Sequence, residues 1–297
     1  MVNVAPSTGR TRAAAPVAPA GSWLLGGELP VRRPGFGALR LCEDHWSPPR
    51  DPAGAVSLLR RAVDLGVDLV DTADCYGLGA NEELVARALH PYPSGLVVAT
   101  KVGQTQSRPG RWVPLGRPEY LRQQVELSLR RLRVDRIDLL QLHRVDPLVP
   151  FADQVGALAE LRAEGKIGHL GLCKVDVARI EQACAITPVA AVQNPYNVAY
   201  REYEDTVDHC ARRGIAFIAW GPLAQGALAD TGGALREAAG ACGATTSQVA
   251  LAWLLRRSPA CVPIPGTRSP RHLAANMRAA RLTLPDEQFL RLSREAR

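Results

Sequence analysis

Four polar side chains sit at or just beyond the ends of three apolar runs in the sequence. Asp71 and Tyr76 belong to LVDTADCYG, Lys101 closes LVVATK, and His143 closes IDLLQLH. A carboxylate, a phenol, an ammonium and an imidazole gathered at one end of a parallel sheet make a proton-donating site. A nearby ammonium lowers the pKa of a phenol by favouring the phenolate, and a carboxylate fixes the ammonium in place. Tyr76 is therefore predicted to protonate a substrate oxygen.

The remaining members of the set have supporting roles in this hypothesis. Lys101 would tune Tyr76 together with Asp71, and His143 would orient a carbonyl group by hydrogen bonding. Taken singly, an aspartate is more often a helix cap and a tyrosine more often a rim residue. Lys101 is less easily explained that way, because only three of the 36 basic residues are lysines and this one follows an apolar strand. The joint occurrence favours catalysis, and some other group must deliver a hydride.

The elements that must position these residues follow a repeating rhythm. From about residue 34 onward, short apolar runs alternate with amphipathic segments, which is the pattern of repeated strand-helix units. Several of the runs are almost continuously apolar, as expected for strands covered on both faces. The predicted strands are eight: 35–39, 67–70, 96–100, 137–142, 167–172, 189–193, 215–220 and 261–265.

Helix start and stop signals recur between these strands. They are Asp51-Pro52, Pro118, the segment Phe151 to Glu164 before Gly165, Thr245 with Gln248, and Ser269-Pro270. Eight repeats in this length predict an α/β fold, a (β/α)₈ TIM barrel, whose chemistry lies at the carboxyl ends of the strands. A β-hairpin around Gly26-Gly27 would plug the other end, and an extra helix would follow the barrel. We expect residues 1–21 to be a disordered tail and 22–297 to form a single domain.

Composition excludes several other classes of protein. No apolar run reaches the roughly 18 residues of a membrane helix, and the first 21 residues lack the continuous apolar segment of a signal peptide. The seven cysteines are scattered singly, which favours reduced thiols in a cytoplasmic protein over disulfides or a metal site. The net charge of +7 is spread along the chain, so we expect no nucleic-acid surface and no membrane partner.

Six motifs carry a resemblance to a known family. They are DTADCYG (71–77), ATK (99–101), LLQLH (139–143), VQNPYN (192–197), AWGPL (219–223) and PIPGTRS (263–269). With them the chain resembles the aldo-keto reductase superfamily, NADPH-dependent (β/α)₈ barrels, in its pyridoxal reductase-like or general branch. The resemblance runs from about Leu24 to the C-terminus. It implies that Asp71, Tyr76, Lys101 and His143 form the catalytic tetrad.

The resemblance also implies the cofactor, NADPH or NADP⁺, and its binding residues. Gln193 would bond the nicotinamide carboxamide, Trp220 would stack on the ring, and Gly221, Pro222 and Leu223 would line the pyrophosphate path. The adenosine 2′-phosphate and adenine would meet Gly266, Thr267, Arg268, Arg271, His272 and Asn276. A helix start with arginines is an ordinary anion site, which favours NADPH over NADH.

One departure from the family pattern concerns the fifth strand. Cys173 and Lys174 stand where many relatives carry a Ser-Asn pair that holds the carboxamide. A thiol is a weak donor, so anchoring would depend more on Gln193. The Lys174 ammonium would disfavour the oxidised nicotinamide ring, or would reach a substrate carboxylate or phosphate.

Loops are expected to supply substrate recognition. Trp46 and Trp112 would form an apolar wall and Arg144 would offer charge, although an exposed loop tryptophan equally packs on its own loop. We interpret the chain as an NADPH-dependent reductase of an aldehyde or ketone, its partner being a small carbonyl compound. Two alternatives stay open: a redox-neutral or oxidative biosynthetic enzyme with tightly bound NADP, and a non-catalytic, cofactor-binding regulatory barrel. The sequence carries no signal for an oligomeric state.

Overall fold

The fold is seen in a computed structural model of the chain, which describes residues 20–42, 44–229 and 232–295. The tail predicted for residues 1–21 thus lies outside the described residues except for Ala20 and Gly21. The assignment of 22–297 to a single domain stays a prediction. Among the described residues, no helix combines the length and the apolar character needed to cross a membrane.

A parallel sheet of eight strands forms the centre of the described structure. The strands are β1 (Ser22–Leu25), β2 (Leu29–Arg32), β3 (Phe36–Gly37), β4 (Leu69–Asp71), β5 (Val97–Val102), β6 (Gln104–Arg108), β7 (Arg111–Pro114), β8 (Ile137–Leu142), β9 (Ile167–Cys173), β10 (Val189–Pro195), β11 (Ala216–Trp220) and β12 (Cys261–Pro263). The order of the central sheet is β3-β4-β5-β8-β9-β10-β11-β12, and a separate hairpin pairs β1 with β2. The edges meet where the backbone N–H of Gly35 donates to the carbonyl oxygen of Pro263 at 3.0 Å, so the sheet is a nearly closed barrel.

The (β/α)₈ prediction is confirmed, with one strand much shorter than expected. The first predicted strand, 35–39, is reduced to Phe36–Gly37, because the chain turns into a 3₁₀ helix at Leu39–Leu41. At the other extreme, β5 continues to Val102, so that Lys101 lies inside the strand and takes part in its pairing with β8.

Helices cover the outside of the barrel, and five of them begin where the sequence signals predict. The Asp51 side chain caps α1, and Thr245 with Gln248 forms the predicted capping box of α8. The α-helices of the described residues are α1 (Pro52–Asp64), α2 (Ala80–Leu89), α3 (Pro118–Leu132), α4 (Phe151–Ala163), α5 (Val177–Cys184), α6 (Glu204–Arg213), α7 (Ala234–Ala241), α8 (Thr246–Arg257), α9 (Pro270–Arg278) and α10 (Asp286–Glu295).

The hairpin β1–β2 belongs to the core of the barrel interior. Leu25 and Val31 of the hairpin cluster with inward-facing strand residues such as Leu69, Val97 and Leu139. Gly26 adopts a φ of +61°, and a Cβ at this position would lie 2.3 Å from the His169 ring, so only glycine fits the contact. The predicted plug is therefore present.

The C-terminal helix α10 is held by an aromatic contact. The Phe289 ring stacks on the fully buried Trp253 of α8 at 6.2 Å, and the indole N–H of Trp253 donates to the Ser293 hydroxyl at 3.0 Å. A buried indole that is both packed and hydrogen-bonded contributes fully to the core. The predicted extra helix is thus present and packs against α8 on the outside of the barrel.

Closure of the barrel requires glycine at position 37. A Cβ there would lie 2.8 Å from the carbonyl oxygen of Ile264, a backbone atom that has no room to retreat. We expect Gly37→Ala to lower the free energy of unfolding in urea by about 1–3 kcal/mol. Gly156→Ala is the matched control, because Gly156 lies within α4 with no atom within 4 Å of its added Cβ. The control should stabilise the chain by about 0.5–1 kcal/mol, and equal unfolding midpoints for the two variants would contradict this account.

Candidate active site

Three neighbouring strands bring the four predicted catalytic residues to one end of the barrel. Asp71 is the last residue of β4, Lys101 lies near the end of β5, and His143 directly follows β8. Tyr76 opens a 3₁₀ turn, Tyr76–Gly79, soon after β4. Backbone hydrogen bonds continue the sheet beyond the strand ends, and His143 N–H donates to the Val102 carbonyl oxygen at 2.7 Å. The loops that carry the side chains are therefore fixed to the barrel rim.

The ammonium of Lys101 is the centre of the arrangement. Its Nζ lies 2.5 Å from Asp71 Oδ1 and 2.7 Å from the carbonyl oxygen of Thr72. The same nitrogen lies 4.9 Å from the centre of the Tyr76 ring. Lys101, Asp71 and Tyr76 are all buried, at 0, 3 and 7% exposure, so these interactions are little screened by solvent.

The pKa of Tyr76 corrects one sequence-based expectation. Burial raises the pKa of the Tyr76 phenol above its ordinary value, and the Lys101 ammonium offsets only part of that rise. Burial also disfavours the Lys101 ammonium, but Asp71 and Tyr76 outweigh it and hold the pKa of Lys101 above its ordinary value. Tyr76 is thus a neutral phenol beside a permanent cation. It can donate a proton to an alkoxide that forms nearby, and the cation then stabilises the phenolate.

His143, directly after β8, faces Tyr76. The two rings meet edge to face, with centroids 5.7 Å apart. Burial, together with the Lys101 and Arg144 cations, lowers the pKa of His143 well below its ordinary value. The imidazole is therefore neutral near pH 7, and it can act as a hydrogen-bond donor through only one of its nitrogens.

Two glutamine amides complete the shell around Asp71. Asp71 Oδ2 accepts hydrogen bonds from Gln193 Nε2 at 2.7 Å and from Gln141 Nε2 at 3.1 Å. Gln193 also donates to Gln141 Oε1 at 3.1 Å, and the Cys173 thiol lies 3.7 Å from that oxygen. In this structure Gln193 therefore orients Asp71, and its predicted contact with a carboxamide stays a prediction.

Gln141 is a site residue that the sequence reasoning missed. Its side chain has room because residue 171 on the adjacent strand is glycine, where a Cβ would lie 2.8 Å from Gln141 Cγ. A single amide inside the apolar run IDLLQLH is the signal that could have identified it, since a buried amide requires partners.

The segment after β5 differs from the expected loop. Gln104–Arg108 and Arg111–Pro114 pair as the antiparallel hairpin β6–β7. The hairpin carries Trp112 to the Tyr76 ring, edge to face at 6.5 Å, and to the His45 ring at 6.4 Å. Among the described residues, Trp46 shows no ring contact with Tyr76 or His143. The structure thus brings Trp112, but not Trp46, against the predicted tetrad.

The predicted cofactor residues at β9 and β11 lie at the same end of the barrel. Cys173 ends β9 in a buried position, whereas Lys174 is exposed with a φ of +54°. Trp220 ends β11 half-buried against the barrel core, and Gly221, Pro222 and Leu223 follow it. Arg144, half-buried beside His143, donates to the carbonyl oxygen of its neighbour at 2.6 Å. These residues lie at or just after the carboxyl ends of β8, β9 and β11, the same end of the barrel as the four predicted catalytic residues.

The remaining predicted residues surround the start of α9. The Ser269 side chain caps this helix by accepting from the backbone N–H of His272 at 3.3 Å. Arg268, Arg271 and His272 are exposed around the helix start, and Thr267 and Asn276 are buried behind them. Gly266 leads from β12 into this turn. A helix N-terminus with three basic side chains is a donor set suited to a phosphate group.

A family model described as the Aldo/keto reductase family matches residues 35–295. The chain belongs to the aldo/keto reductase family. It is 44% identical over 272 residues to an uncharacterised oxidoreductase of Schizosaccharomyces pombe, covering 91% of this chain and 89% of that protein. It is 37% identical over 268 residues to the pyridoxine 4-dehydrogenase of Escherichia coli, covering 88% of this chain and 93% of that protein.

A solved structure in this family has the same fold. The aldo-keto reductase from Klebsiella pneumoniae, crystallised with NADPH, superposes with a TM-score of 0.78 at 28% sequence identity. The match covers 92% of this chain and 94% of that one. The barrel described above is thus the aldo/keto reductase barrel, as the sequence motifs predicted.

Proposed function

We propose that this aldo/keto reductase reduces an aldehyde or ketone to the alcohol, with NADPH as reductant and Tyr76 as proton donor. The observation that carries the proposal is the buried trio of Tyr76, Lys101 and Asp71, beside the neutral imidazole of His143. Such a set can donate a proton to an oxygen without a metal ion.

The residues of the site have separate tasks in this mechanism. NADPH, when bound, supplies the hydride to the carbonyl carbon. His143 donates a hydrogen bond that holds the carbonyl oxygen next to the Tyr76 hydroxyl. Tyr76 then transfers its proton to the oxygen as negative charge develops there, and Lys101 stabilises the phenolate that is left. Asp71 keeps the Lys101 ammonium in place, and the barrel rim excludes water from the trio.

The substrate class follows from the rings around the Tyr76 hydroxyl. Trp112 and His45 form an aromatic wall beside Tyr76, and Trp220 lies at the same rim. Flat aromatic or heteroaromatic aldehydes suit a wall of this kind. The name of the Escherichia coli relative, pyridoxine 4-dehydrogenase, supports a pyridine alcohol and its aldehyde as the first pair to test.

A substrate screen with the purified protein tests the proposal. Loss of NADPH absorbance should accompany formation of the alcohol from 4-nitrobenzaldehyde or from pyridoxal. Incubation without added reductant is the control for the redox-neutral alternative, because an enzyme with tightly bound NADP would then still turn over. If no carbonyl compound in the screen causes NADPH to be oxidised, the result would favour the regulatory-barrel alternative.

The basic residues at the start of α9 predict a preference for NADPH. We expect Arg268→Ala combined with Arg271→Ala to weaken NADPH binding by roughly a hundredfold, because charge-assisted hydrogen bonds to a phosphate contribute about 1.5–3 kcal/mol each. NADH binding should change by less than about threefold, since NADH lacks the 2′-phosphate. The measurement is quenching of protein fluorescence by each cofactor. Equal losses for the two cofactors would place the phosphate site elsewhere.

The location proposed for the protein rests on its cysteines. All seven are free thiols in the structure, and five of them are buried. Unpaired cysteines in this number fit a reducing compartment. We therefore propose a cytoplasmic location, which fractionation of the source cells would test.

A further inference from the structure

Two buried polar residues, Asp74 and Cys75, lie next to the His143 ring. Cys75 Sγ lies 3.4 Å from His143 Nδ1. The ligand-type atoms of Asp74, Cys75 and His143 all lie within 4.8 Å of one another. All three residues are buried, each with 5% of its surface exposed. The mechanism above assigns no task to Asp74 or Cys75.

Two hydrogen-bond arrangements are possible, because a thiol has one proton to donate. If Asp74 is ionised, the Cys75 S–H donates to the carboxylate and His143 Nδ1–H donates to the sulfur. The neutral imidazole then has no proton on Nε2. If Asp74 is a neutral acid, its O–H donates to Cys75 Sγ and the S–H donates to His143 Nδ1. The imidazole proton then resides on Nε2, which can donate to a substrate oxygen.

The surroundings of Asp74 favour the neutral acid. Its Oδ1 atom is buried and has no hydrogen-bond partner among the described residues. A buried carboxylate oxygen without a donor favours protonation. Burial and the Glu82 charge raise the pKa of Asp74 well above its ordinary value. The opposing cation, Arg131, donates to Glu82 Oε2 at 2.6 Å, so much of its charge is already compensated.

We propose that Asp74 and Cys75 are positioning residues that hold His143 as the tautomer with its proton on Nε2. The hydrogen bonds run from the Asp74 acid to the Cys75 sulfur and from the Cys75 thiol to His143 Nδ1. No covalent bond is made or broken among these three residues, and no proton needs to move between them during turnover. The inference rests on the proposed function only for the identity of the group that accepts from Nε2.

The tautomer can be read directly by nitrogen NMR on the full chain labelled with ¹⁵N-histidine. A His143→Gln variant assigns the resonances among the six histidines. Near pH 7 we expect an unprotonated Nδ1 and a protonated Nε2 in the wild type. Cys75→Ser and Asp74→Asn should keep this tautomer, because a hydroxyl replaces the thiol and an amide N–H replaces the acid O–H. Cys75→Ala should shift both resonances towards a mixture of tautomers.

Turnover provides a second readout with the same variants. We expect Cys75→Ala to lower kcat for aldehyde reduction about tenfold, the usual size of a lost hydrogen bond. Cys75→Ser and Asp74→Asn should stay within about threefold of the wild type. If the protein reduces no carbonyl, the proposed function fails while the NMR result still decides the tautomer.

Several outcomes would overturn the inference. A wild type with its proton on Nδ1 would do so, as would an Asp74→Asn variant whose tautomer differs from the wild type. An unchanged tautomer in Cys75→Ala would show that the thiol does not set it. The same three side chains could instead hold a zinc ion. One zinc per chain by mass spectrometry, with an Nδ1 resonance that moves on chelation, would replace this inference with a metal site.

Discussion

Replacing Tyr76 by phenylalanine should abolish carbonyl reduction while the protein still folds and binds NADPH. The variant loses only the hydroxyl oxygen of a buried ring that packs against Trp112 and His143. Without that hydroxyl, no other group of the trio can donate a proton easily, because Asp71, 2.5 Å from the Lys101 ammonium, still holds the proton on that nitrogen. General acid catalysis contributes roughly 10²–10⁴-fold, so kcat should fall by about a thousandfold or more.

The control for this variant is Tyr92→Phe. The Tyr92 hydroxyl is also hydrogen-bonded, donating to the Leu132 carbonyl oxygen at 2.8 Å, but Tyr92 lies before β5, at the opposite end of that strand from Lys101. Loss of the Tyr92 hydroxyl should lower the free energy of unfolding by about 1 kcal/mol and leave kcat unchanged. Cofactor binding is measured by fluorescence in both variants. Normal kcat in Tyr76→Phe would refute the proton-donor assignment.

Replacing Lys101 by methionine should cause a loss of similar size for a different reason. Methionine keeps the volume of the side chain but removes the cation that stabilises the Tyr76 phenolate. Burial and the Asp71 charge then act on Tyr76 without an opposing cation, so its pKa should rise further and proton transfer should slow by about a hundredfold or more. The Asp71 carboxylate would also lose its 2.5 Å partner and would retain only the two glutamine amides.

The chain offers a matched control for this lysine. Lys166 lies at the surface, where its ammonium pairs with Glu126 and Glu164. Lys166→Met should leave kcat unchanged, because surface ion pairs contribute about 0–1 kcal/mol to stability and this pair touches no site residue. Steady-state kinetics over pH 6 to 9 compare the two variants. Equal kcat in Lys101→Met and Lys166→Met would exclude Lys101 from catalysis.

The sequence was sufficient to place the four predicted catalytic residues at one end of the barrel, because they lie at or soon after strand ends. Nearly continuous apolar runs mark strands that are buried on both faces, and the first polar residue after such a run marks the barrel rim. Asp71, Lys101 and His143 were all found in this way, although β5 extends past Lys101. Five helix starts follow from the sequence as well, because a cap is a local signal that needs no knowledge of the rest of the chain.

Features that depend on contacts between distant parts of the chain could not be read in advance. The place of Gln141 beside Gly171 follows from the register of β8 and β9, which neither strand's own sequence specifies. The hairpin β6–β7 lacks a regular apolar alternation, and its Trp112 packs on a residue 36 positions earlier. The net direction of the Tyr76 pKa shift also could not be predicted from the sequence, because the cost of burial depends on the finished fold.

The central claim is that this barrel moves a hydride to a carbonyl carbon while Tyr76 supplies the proton to its oxygen. The most direct measurement uses NADPH that carries deuterium at the transferable position, with mass spectrometry of the alcohol formed from an aromatic aldehyde. We predict one deuterium, bound to the carbinol carbon, in the product of the wild type and no product from Tyr76→Phe. An alcohol without deuterium, or labelled alcohol formed equally well by the variant, would contradict the account.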